Sequence, residues 1–447
     1  MGSDKERLPG RLARTLKVGL LGTKVGSSYL GGKIADAFRS DDDRASALVG
    51  RHVDNAKRIA ETMGQLRGPL MKVGQLMSTH AEALPEEMTR LLQPLQTSAP
   101  PMAFETMREV LTEDLGAPPE ALFAELDPVA VAAASLGQVH RGRLPDGTQV
   151  AVKVQYPGAV QSVEGDLSNI HAATKLTKRL LADALGQTRF DVTPFAEELA
   201  EHLLQETDYC REAYNAKLLG RLLADDEELV VPRVHDSHSG LRTITYDWIE
   251  GEPLTWALDH PDHDVRERVV RQLQRAFWKQ FFEGGLLHAD PHPGNYLFQP
   301  DGTVGLLDFG CVKRFDEFFL GRYAEVALAA LDDDKPRTLA ACRRLGVWEG
   351  DTPEAGEAVW AFCDAALSPW RNGPCVLGRG ENLIVRCRAA GEQIWKYPEV
   401  MGVPDMLYLH RALAGLYTMA RTLEVEADWA GLMRQHLTAA VDRAAGR

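Results

Sequence analysis

The chain has 447 residues, 45% hydrophobic and 26% charged, a composition that excludes wholesale disorder. This length favours roughly two or three structural units, or one large two-lobed domain with extensions. The formal net charge of -14 argues against nucleic acid as a partner, because an acidic surface repels backbone phosphates. The six cysteines form no C-x-x-C pair, which disfavours a zinc site and a disulfide scaffold and favours a reducing compartment.

Residues 1–40 carry the opposite charge, with eight Lys or Arg against three acidic residues. One interpretation is a frayed terminus or linker, and the other is a segment that lies on an anionic membrane surface. No apolar run approaches the roughly 18–20 residues needed to span a bilayer. The early apolar run at 18–21 is too short for a secretory signal peptide. These features predict a cytoplasmic location.

The next part of the chain changes from helical to strand periodicity. Segment 41–115 has repeated apolar positions and few helix breakers, which predicts a helical extension. A Gly- and Pro-rich break follows at 114–120. Alternating residues then predict strands at 138–144 and 149–154, joined by a Pro-Asp-Gly turn at 145–147.

The remainder of the chain is predicted to be mostly helical beyond about residue 265, with one interruption by strands. In chain order, the pattern predicts a helix at 194–219, strands at 230–234 and 241–249, and a strand pair at 296–298 and 304–307.

The sequence His-Ala-Asp-Pro-His-Pro-Gly-Asn at 288–295 matches the spacing of the kinase catalytic loop, H-R-D-x-x-x-x-N. In that loop the Asp accepts or orients the acceptor proton, and the Asn holds Mg²⁺. Asp290 and Asn295 have this spacing. An Asp and an Asn in a turn also cap backbone groups, so this motif alone is only moderately specific.

A D-F-G element follows the predicted strand pair, and its acidic residue is Asp308. In kinases this Asp carries Mg²⁺. A catalytic loop, a short hairpin and then D-F-G form the strand–turn–strand context that the chemistry requires, which makes the combination specific.

The upstream strand carries Val-Ala-Val-Lys, the equivalent of the V-A-I-K strand of kinases. Its Lys153 is predicted to pair with the α- and β-phosphates of ATP, and a helix carboxylate must hold it. The candidates for that carboxylate lie in segment 197–212. The glycine-rich loop of kinases is replaced by Ala132, Ala133, Ala134 and Ser135, which predicts a stiffer phosphate-covering loop.

These motifs together resemble those of the UbiB (AarF-type) family of atypical protein-kinase-like proteins, linked to coenzyme Q biosynthesis. The resemblance runs from about residue 59 to 315. It includes, besides the catalytic loop and D-F-G, K-x-G-Q at 72–75, the alanine-rich loop at 132–135 followed by G-Q-V-H, V-A-V-K-V-Q-x-P-G at 150–158, and E-x-D at 206–208.

The resemblance implies roles beyond the bare kinase pattern. Glu206 would pair with Lys153, and Lys72 would reach into the site where a protein substrate normally docks. Asp208 and Glu212 would help to hold Lys72. The implied activity is that of an ATPase, or a kinase of small or lipid-linked substrates, with protein kinase activity restrained by the K-x-G-Q helix and the alanine-rich loop.

The resemblance also implies partners and a location. We expect ATP and Mg²⁺ as cofactors, and no nucleic acid. The expected partners are isoprenoid or quinone-type lipids, an anionic membrane surface and other quinone biosynthesis proteins. The expected location is cytoplasmic and peripheral to the inner membrane.

Two departures from ordinary kinases concern regulation. Ala289 replaces the Arg of H-R-D, and no A-P-E motif follows Gly310. Activation by phosphorylation of an activation loop is therefore not expected.

We predict an α+β, two-lobed protein-kinase-like fold with a small β-containing N-lobe, a mainly helical C-lobe and an N-terminal helical extension. The predicted divisions are a basic segment at 1–40, the extension with K-x-G-Q at 41–115, the N-lobe at 116–250 and the C-lobe at 251–447.

Two other functions share part of this pattern. A small-molecule phosphotransferase of the aminoglycoside or choline kinase type also has H-x-D-x-x-x-x-N, but the K-x-G-Q motif and the alanine-rich loop argue against it. A nucleotide-binding scaffold of a biosynthetic complex is the other alternative. The presence of Lys153, Asp290, Asn295 and Asp308 argues against a degenerate site.

Overall fold

The computed structural model describes residues 101–134, 136–165, 167, 204–377 and 379–446, the last range with gaps at 381, 395, 398 and 402. The basic segment 1–40, the K-x-G-Q motif with Lys72, and Ser135 lie outside the described residues.

Consecutive antiparallel strands come first and helices dominate later, as is typical of an α+β fold. The strands are β1 (Glu125–Ala133), β2 (Gly137–Arg143), β3 (Gln149–Gln155), β4 (Leu229–Val230), β5 (Thr243–Asp247), β6 (Leu286–His288), β7 (Tyr296–Phe298), β8 (Val304–Leu306), β9 (Val312–Arg314), β10 (Cys375–Val376) and β11 (Glu426–Ala427). The helices are α1 (Phe104–Leu115), α2 (Pro119–Leu122), α3 (Tyr209–Leu222), α4 (Leu254–Asp259), α5 (His263–Trp278), α6 (Glu317–Leu331), α7 (Lys335–Leu345), α8 (Pro353–Leu367), α9 (Leu383–Ile394), α10 (Pro404–Leu423) and α11 (Trp429–Ala444).

The chain forms two compact units. Among the described residues, unit 1 contains those up to Ala213 together with Val234–Trp248, and unit 2 contains Tyr214–Arg233 and those from Ile249 onward. The helical pattern predicted for 41–115 is confirmed in its described part at α1. The predicted helix at 194–219 is confirmed from Tyr209 onward, but a turn at 206–208 interrupts it.

Unit 1 is built on an antiparallel sheet with the strand order β1-β2-β3-β5. The predicted hairpin is confirmed: β2 pairs with β3 from Gly137 opposite Gln155 to Arg143 opposite Gln149. Its turn closes as expected for a Pro-Asp-Gly sequence, with Gly147 at a φ of 91° and its N–H donating to the Leu144 carbonyl at 2.9 Å. Strand β1, which lies at the sheet edge, is not predicted from the sequence pattern.

The core of unit 1 lies on one face of this sheet. Val150, Val152 and Val154 of β3 are fully buried, and Met107 and Leu111 of α1 belong to the same cluster. Burial of each such side chain stabilises the fold by about 1.5–3 kcal/mol. Because side chains alternate along a strand, Ala151 and Lys153 lie on the opposite face, where a lysine can serve a ligand.

Unit 2 is mainly helical, and short strands carry its polar loops. The predicted strand pair is confirmed as β7 and β8, with β4 parallel to β8 on the other side. A second pair, β6 with β9, sets His288 opposite Val312. The end of β6 leads into the catalytic-loop motif, and β9 begins after D-F-G. This pairing therefore fixes the two motifs side by side.

Close helix packing supports these loops. A Cβ on Gly321 of α6 would lie 2.3 Å from the Cβ of Ala444 of α11, so glycine allows the two helices to approach. Asp316 caps α6 by accepting the Phe319 N–H at 2.7 Å. Among the described helices, none combines the length and the apolar character needed to cross a bilayer.

Candidate functional site

Lys153 of β3 forms a buried ion pair in unit 1. Its Nζ lies 2.8 Å from Oε1 and 2.9 Å from Oε2 of Glu212, on the first turn of α3. The side chains are 12% and 2% exposed, respectively. The Tyr246 hydroxyl donates to Glu212 Oε1 at 3.0 Å, and Lys153 Nζ lies 5.2 Å from the centre of the Tyr209 ring. The carboxylate is therefore held from two sides and presents the lysine in one place.

The pairing of Lys153 with Glu206 is a prediction that the structure corrects. Asp208 accepts the Arg211 N–H at 2.9 Å, and α3 begins at Tyr209. Glu206 lies before the helix, in the turn where the Thr207 N–H donates to the Leu204 carbonyl at 3.1 Å. Glu212 lies one turn inside the helix and supplies the carboxylate. Glu212 is among the candidates in segment 197–212, but the family resemblance favours Glu206 for Lys153 and gives Glu212 a role in holding Lys72.

The alanine-rich loop is largely strand. Ala132 and Ala133 end β1 and pair with Val139 and Gln138 of β2. The Ala134 N–H donates to the Gly137 carbonyl at 2.8 Å, which closes a tight turn. Since two of the three alanines are fixed in a ladder, this backbone has little of the freedom of a glycine-rich loop.

Gly137 permits a close backbone approach beneath this loop. A Cβ on it would lie 2.4 Å from the Val154 carbonyl oxygen of β3 and 2.8 Å from the Tyr209 hydroxyl. Backbone atoms cannot yield as a flexible side chain can, so a side chain larger than hydrogen would push the strands apart. The glycine of G-Q-V-H is thus explained by packing.

Gln138 and His140 form a buried polar network next to this turn. Gln138 Oε1 accepts the Met102 N–H at 2.7 Å, and its Nε2 lies 3.0 Å from His140 Nε2. His140 Nδ1 lies 2.7 Å from the Asp127 carbonyl, so Nδ1 donates and Nε2 accepts from the amide. Burial lowers the pKa of His140, which favours this neutral form. The network ties β1 and β2 to the chain before α1.

The catalytic-loop residues lie together in unit 2. Asn295 ends a short 3₁₀ turn, and its Nδ2 donates to Asp290 twice, to the carbonyl at 3.0 Å and to Oδ2 at 3.2 Å. The Asn295 carbonyl accepts the Leu307 N–H at 2.8 Å. The loop therefore holds the Asp290 and Asn295 side chains together, with the Asn295 backbone next to the D-F-G segment.

Asp308 has a left-handed backbone, with a φ of 54°. Few non-glycine residues adopt this conformation, and Asp and Asn do so most readily. Its Oδ1 accepts the Gly310 N–H at 3.2 Å. His288 Nε2 lies 2.6 Å from the Asp308 carbonyl, and Asn215 of α3 donates to the Phe309 carbonyl at 2.9 Å. These contacts from the surroundings hold the strained aspartate in place.

A basic side chain also approaches the catalytic loop from a distant helix. Arg411 of α10 is 8% exposed, and its Nη2 lies 3.5 Å from Asp290 Oδ1. The sequence motifs gave no signal for this residue, because it lies 121 positions after Asp290. Its neighbour His410 is half-buried, and burial lowers the pKa of His410 to about 4.

Each unit contains residues that fit one part of a Mg²⁺-nucleotide, the cation in unit 2 and a phosphate in unit 1. Mg²⁺ takes oxygen ligands, and Asp308 supplies a carboxylate while Asn295 supplies an amide oxygen that its hydrogen bonds to Asp290 do not use. The strain tolerated at Asp308 is typical of a functional position. Lys153 supplies the cation that a phosphate requires.

These features define a protein-kinase-like domain of the two-lobed α+β class. They are the antiparallel sheet of unit 1 and the paired catalytic-loop and D-F-G segments of unit 2. The chain matches the ABC1 atypical kinase-like domain over residues 94–341. It therefore belongs to this family of atypical kinases, and the predicted UbiB-family membership is confirmed.

Individual relatives agree with this assignment. The chain is 35% identical over 287 residues to the mitochondrial atypical kinase COQ8B of Rattus norvegicus, which covers 64% of this chain and 53% of the relative. It is 26% identical over 397 residues to the mitochondrial atypical kinase coq-8 of Caenorhabditis elegans, covering 85% of this chain and 50% of that protein. The chain thus spans about half the length of these curated relatives.

A solved structure shares the fold. The complex structure of Rv3197 and erythromycin from Mycobacterium tuberculosis has a TM-score of 0.61 to this chain and 25% sequence identity. The match covers 88% of this chain and 97% of that one. The predicted two-lobed kinase-like fold is confirmed.

Proposed function

We propose that this chain binds Mg²⁺-ATP and transfers or releases its γ-phosphate, as an atypical kinase or ATPase that supports isoprenoid quinone (coenzyme Q) lipid biosynthesis. The observation that carries the proposal is the ion pair between Lys153 and Glu212. A strand lysine held by a helix carboxylate must be in place for a kinase to engage the phosphates of ATP.

Each functional residue has a defined task in this proposal. Lys153 binds the α- and β-phosphates, and Asn295 and Asp308 hold the cation. Asp290 accepts or orients the proton of the attacking group, since its carboxylate is fixed by Asn295. When bound, Mg²⁺ neutralises charge on the transferring phosphate.

The link to quinone lipids rests on the UbiB-family resemblance and on the relatives named COQ8B and coq-8. The proposed partners are an isoprenoid or quinone-type lipid, an anionic membrane surface and quinone biosynthesis proteins. The proposed location is cytoplasmic and peripheral to the inner membrane.

The test is ATP turnover by the purified full chain, with and without anionic liposomes and quinone-precursor mimics. Label in the γ-phosphate should appear as inorganic phosphate for an ATPase, or in the mimic for a kinase. Asp290→Asn is the matched inactive variant. Turnover by wild type no greater than that of this variant in every condition would contradict the proposal.

The alanine-rich loop is proposed to restrain protein kinase activity together with Lys72. We expect Ala133→Gly to raise autophosphorylation and to change nucleotide affinity, because glycine frees a backbone now fixed opposite Gln138. Incorporation of labelled γ-phosphate into the chain measures the first effect, and titration with Mg²⁺-ATP measures the second. Lys72→Ala should leave ATP binding intact, since Lys153 and the cation hold the phosphates. Efficient phosphorylation of generic peptides by wild type, unchanged in both variants, would overturn the restraint.

Residues 1–40 are proposed to add membrane affinity. Their local charge is opposite to the overall -14 of the chain. Each basic residue near an anionic surface contributes on the order of 1 kcal/mol, and salt screens this attraction. Deletion of the segment should reduce co-sedimentation with anionic liposomes, most at low salt. Neutral liposomes serve as the control, and equal sedimentation of both forms would count against the idea.

A further inference from the structure

The carboxylate of Asp290 is contacted by two different side chains within unit 2. Asn295 Nδ2 donates to Oδ2 at 3.2 Å, and Arg411 Nη2 lies 3.5 Å from Oδ1. The Asp290 and Arg411 side chains are 17% and 7% exposed. Two contacts on separate oxygens restrict rotation of the carboxylate, which one contact alone would allow.

The cation beside Asp290 comes from outside the catalytic loop. Residues 288–295 contain no Lys or Arg, and Ala289 occupies the place of the kinase arginine. Arg411 lies instead on α10, the helix that follows α9 in the C-terminal part of the chain. A planar guanidinium is suited to a shielded carboxylate, because it is weakly hydrated and directs several N–H donors in one plane.

A second observation shows that α10 packs closely against the catalytic loop. A Cβ on Gly415 would lie 2.2 Å from the Cβ of Pro291 and 3.0 Å from its carbonyl oxygen. Residues four apart share one face of a helix, so Gly415 and Arg411 both lie on the face of α10 that packs against the catalytic loop. Elsewhere on α10, Asp405 pairs with Lys313 of β9 at 3.0 Å. The helix therefore contacts the chain at both Asp290 and the strand after D-F-G.

We propose that Arg411 is a positioning residue for phosphoryl transfer, which acts by holding the Asp290 carboxylate in the orientation that the attacking group requires. This inference rests on the proposed kinase or ATPase function. Arg411 does not bind nucleotide in this role; its effect passes through Asp290. Its loss should consequently slow the chemical step and leave Mg²⁺-ATP binding intact.

The test compares Arg411→Ala and Arg411→Lys with wild type, in steady-state ATP turnover and in Mg²⁺-ATP titration. We expect Arg411→Ala to lower kcat on the order of 10- to 100-fold, with KM and Kd changed less than about twofold, because small errors in orientation cost rate rather than affinity. Arg411→Lys should retain part of kcat, and added methylguanidinium should restore part of the activity of Arg411→Ala. Arg434→Met is the control, since it removes an arginine whose ion pair with Asp332 is 39% exposed on both sides.

A double-mutant cycle with Asp290→Asn separates positioning from general structure. Because Asp290→Asn is the inactive variant, this cycle is read in melting temperature and not in turnover. The melting temperature gives a readout independent of activity: Arg411→Ala should lose less stability in that background than in wild type. If wild type has no turnover at all, the proposed function fails. The cycle in melting temperature then still shows whether Arg411 and Asp290 interact.

Three results would overturn the inference while leaving the proposed function standing. They are wild-type kcat in both Arg411 variants, equal losses of kcat and nucleotide affinity, or losses of melting temperature that add in the double variant. If Arg411→Ala does not fold, Arg411→Lys and its double variant carry the same comparison.

Discussion

Replacing Asp308 with asparagine should remove most Mg²⁺-dependent nucleotide binding and turnover. The substitution deletes the one charged ligand proposed for the cation and keeps the shape of the side chain. Asparagine also tolerates the left-handed backbone at a φ of 54°, so the expected loss reflects lost charge and not backbone strain. We expect kcat/KM to fall by at least on the order of 100-fold, since even partners that only orient metal ligands contribute about 10- to 100-fold.

Thermal shift with nucleotide, in the presence of Mg²⁺ and of a chelator, measures the binding effect. Wild type should be stabilised by nucleotide with Mg²⁺, and Asp308→Asn should lose that increment while its melting temperature without ligand stays close to wild type. Asp351→Asn is the matched control, because it makes the same change at a side chain that is 97% exposed. An unchanged Mg²⁺-dependent shift in Asp308→Asn would refute the assignment.

Local features of the fold could be predicted because they depend on neighbouring residues. Val150, Val152 and Val154 alternate with polar or small residues, and their burial on one sheet face follows from the strand period of two. The Pro-Asp-Gly turn and the Asp301-Gly302 turn set the two hairpins, with both glycines at a φ of 91°. Asp290 and Asn295 meet because five positions of loop bring them within hydrogen-bond distance.

Strand β1 could not be predicted from the same rules. It contains Pro128 and three alanines, residue types that are depleted in strands, and its burial does not alternate regularly. Its register with β2 shifts twice, between Leu126 and Ala130 and between Ala130 and Ala132. A bulged edge strand of this kind depends on its partner β2 for its conformation.

The prediction of which carboxylate pairs with Lys153 depends on where helix α3 begins. Glu206 and Glu212 both lie in the segment that supplies the carboxylate, six positions apart. The cap at Asp208 starts α3 at Tyr209, which places Glu206 before the helix and Glu212 within it. Helix boundaries are the least certain feature of a sequence pattern, and here a shift of a few residues changes the assigned residue.

Arg411 could not be predicted from the sequence, because its contact with Asp290 joins residues that are far apart in the chain. No local spacing links it to Asp290, and its helical surroundings would favour an ordinary surface arginine. Only the packing of α10, with Gly415 against Pro291, brings the guanidinium to the catalytic loop. The catalytic motifs are thus readable from sequence, while the residues that hold them are determined by tertiary structure.

Replacing Glu212 with glutamine should damage both stability and activity. The substitution removes a carboxylate that is 2% exposed and bonded to Lys153 through both oxygens, and it leaves a buried ammonium without that partner. Removing one member of a buried ion pair costs about 3–5 kcal/mol, so the melting temperature should fall by several degrees. Because Lys153 then loses its fixed position, kcat/KM for ATP turnover should fall on the order of 100-fold.

Glu206→Gln is the matched variant, since it makes the same chemical change six positions earlier. If Glu212 holds Lys153, Glu206→Gln should keep Mg²⁺-ATP binding near wild type, whereas Glu212→Gln should not. A cycle with Lys153→Met sharpens the comparison: Glu212→Gln should cost little further stability or binding once the lysine is gone, because the ammonium that Glu212 holds is absent. Equal defects in Glu206→Gln and Glu212→Gln, or a Glu212→Gln enzyme that binds and turns over ATP normally, would show that the ion pair does not have the proposed role.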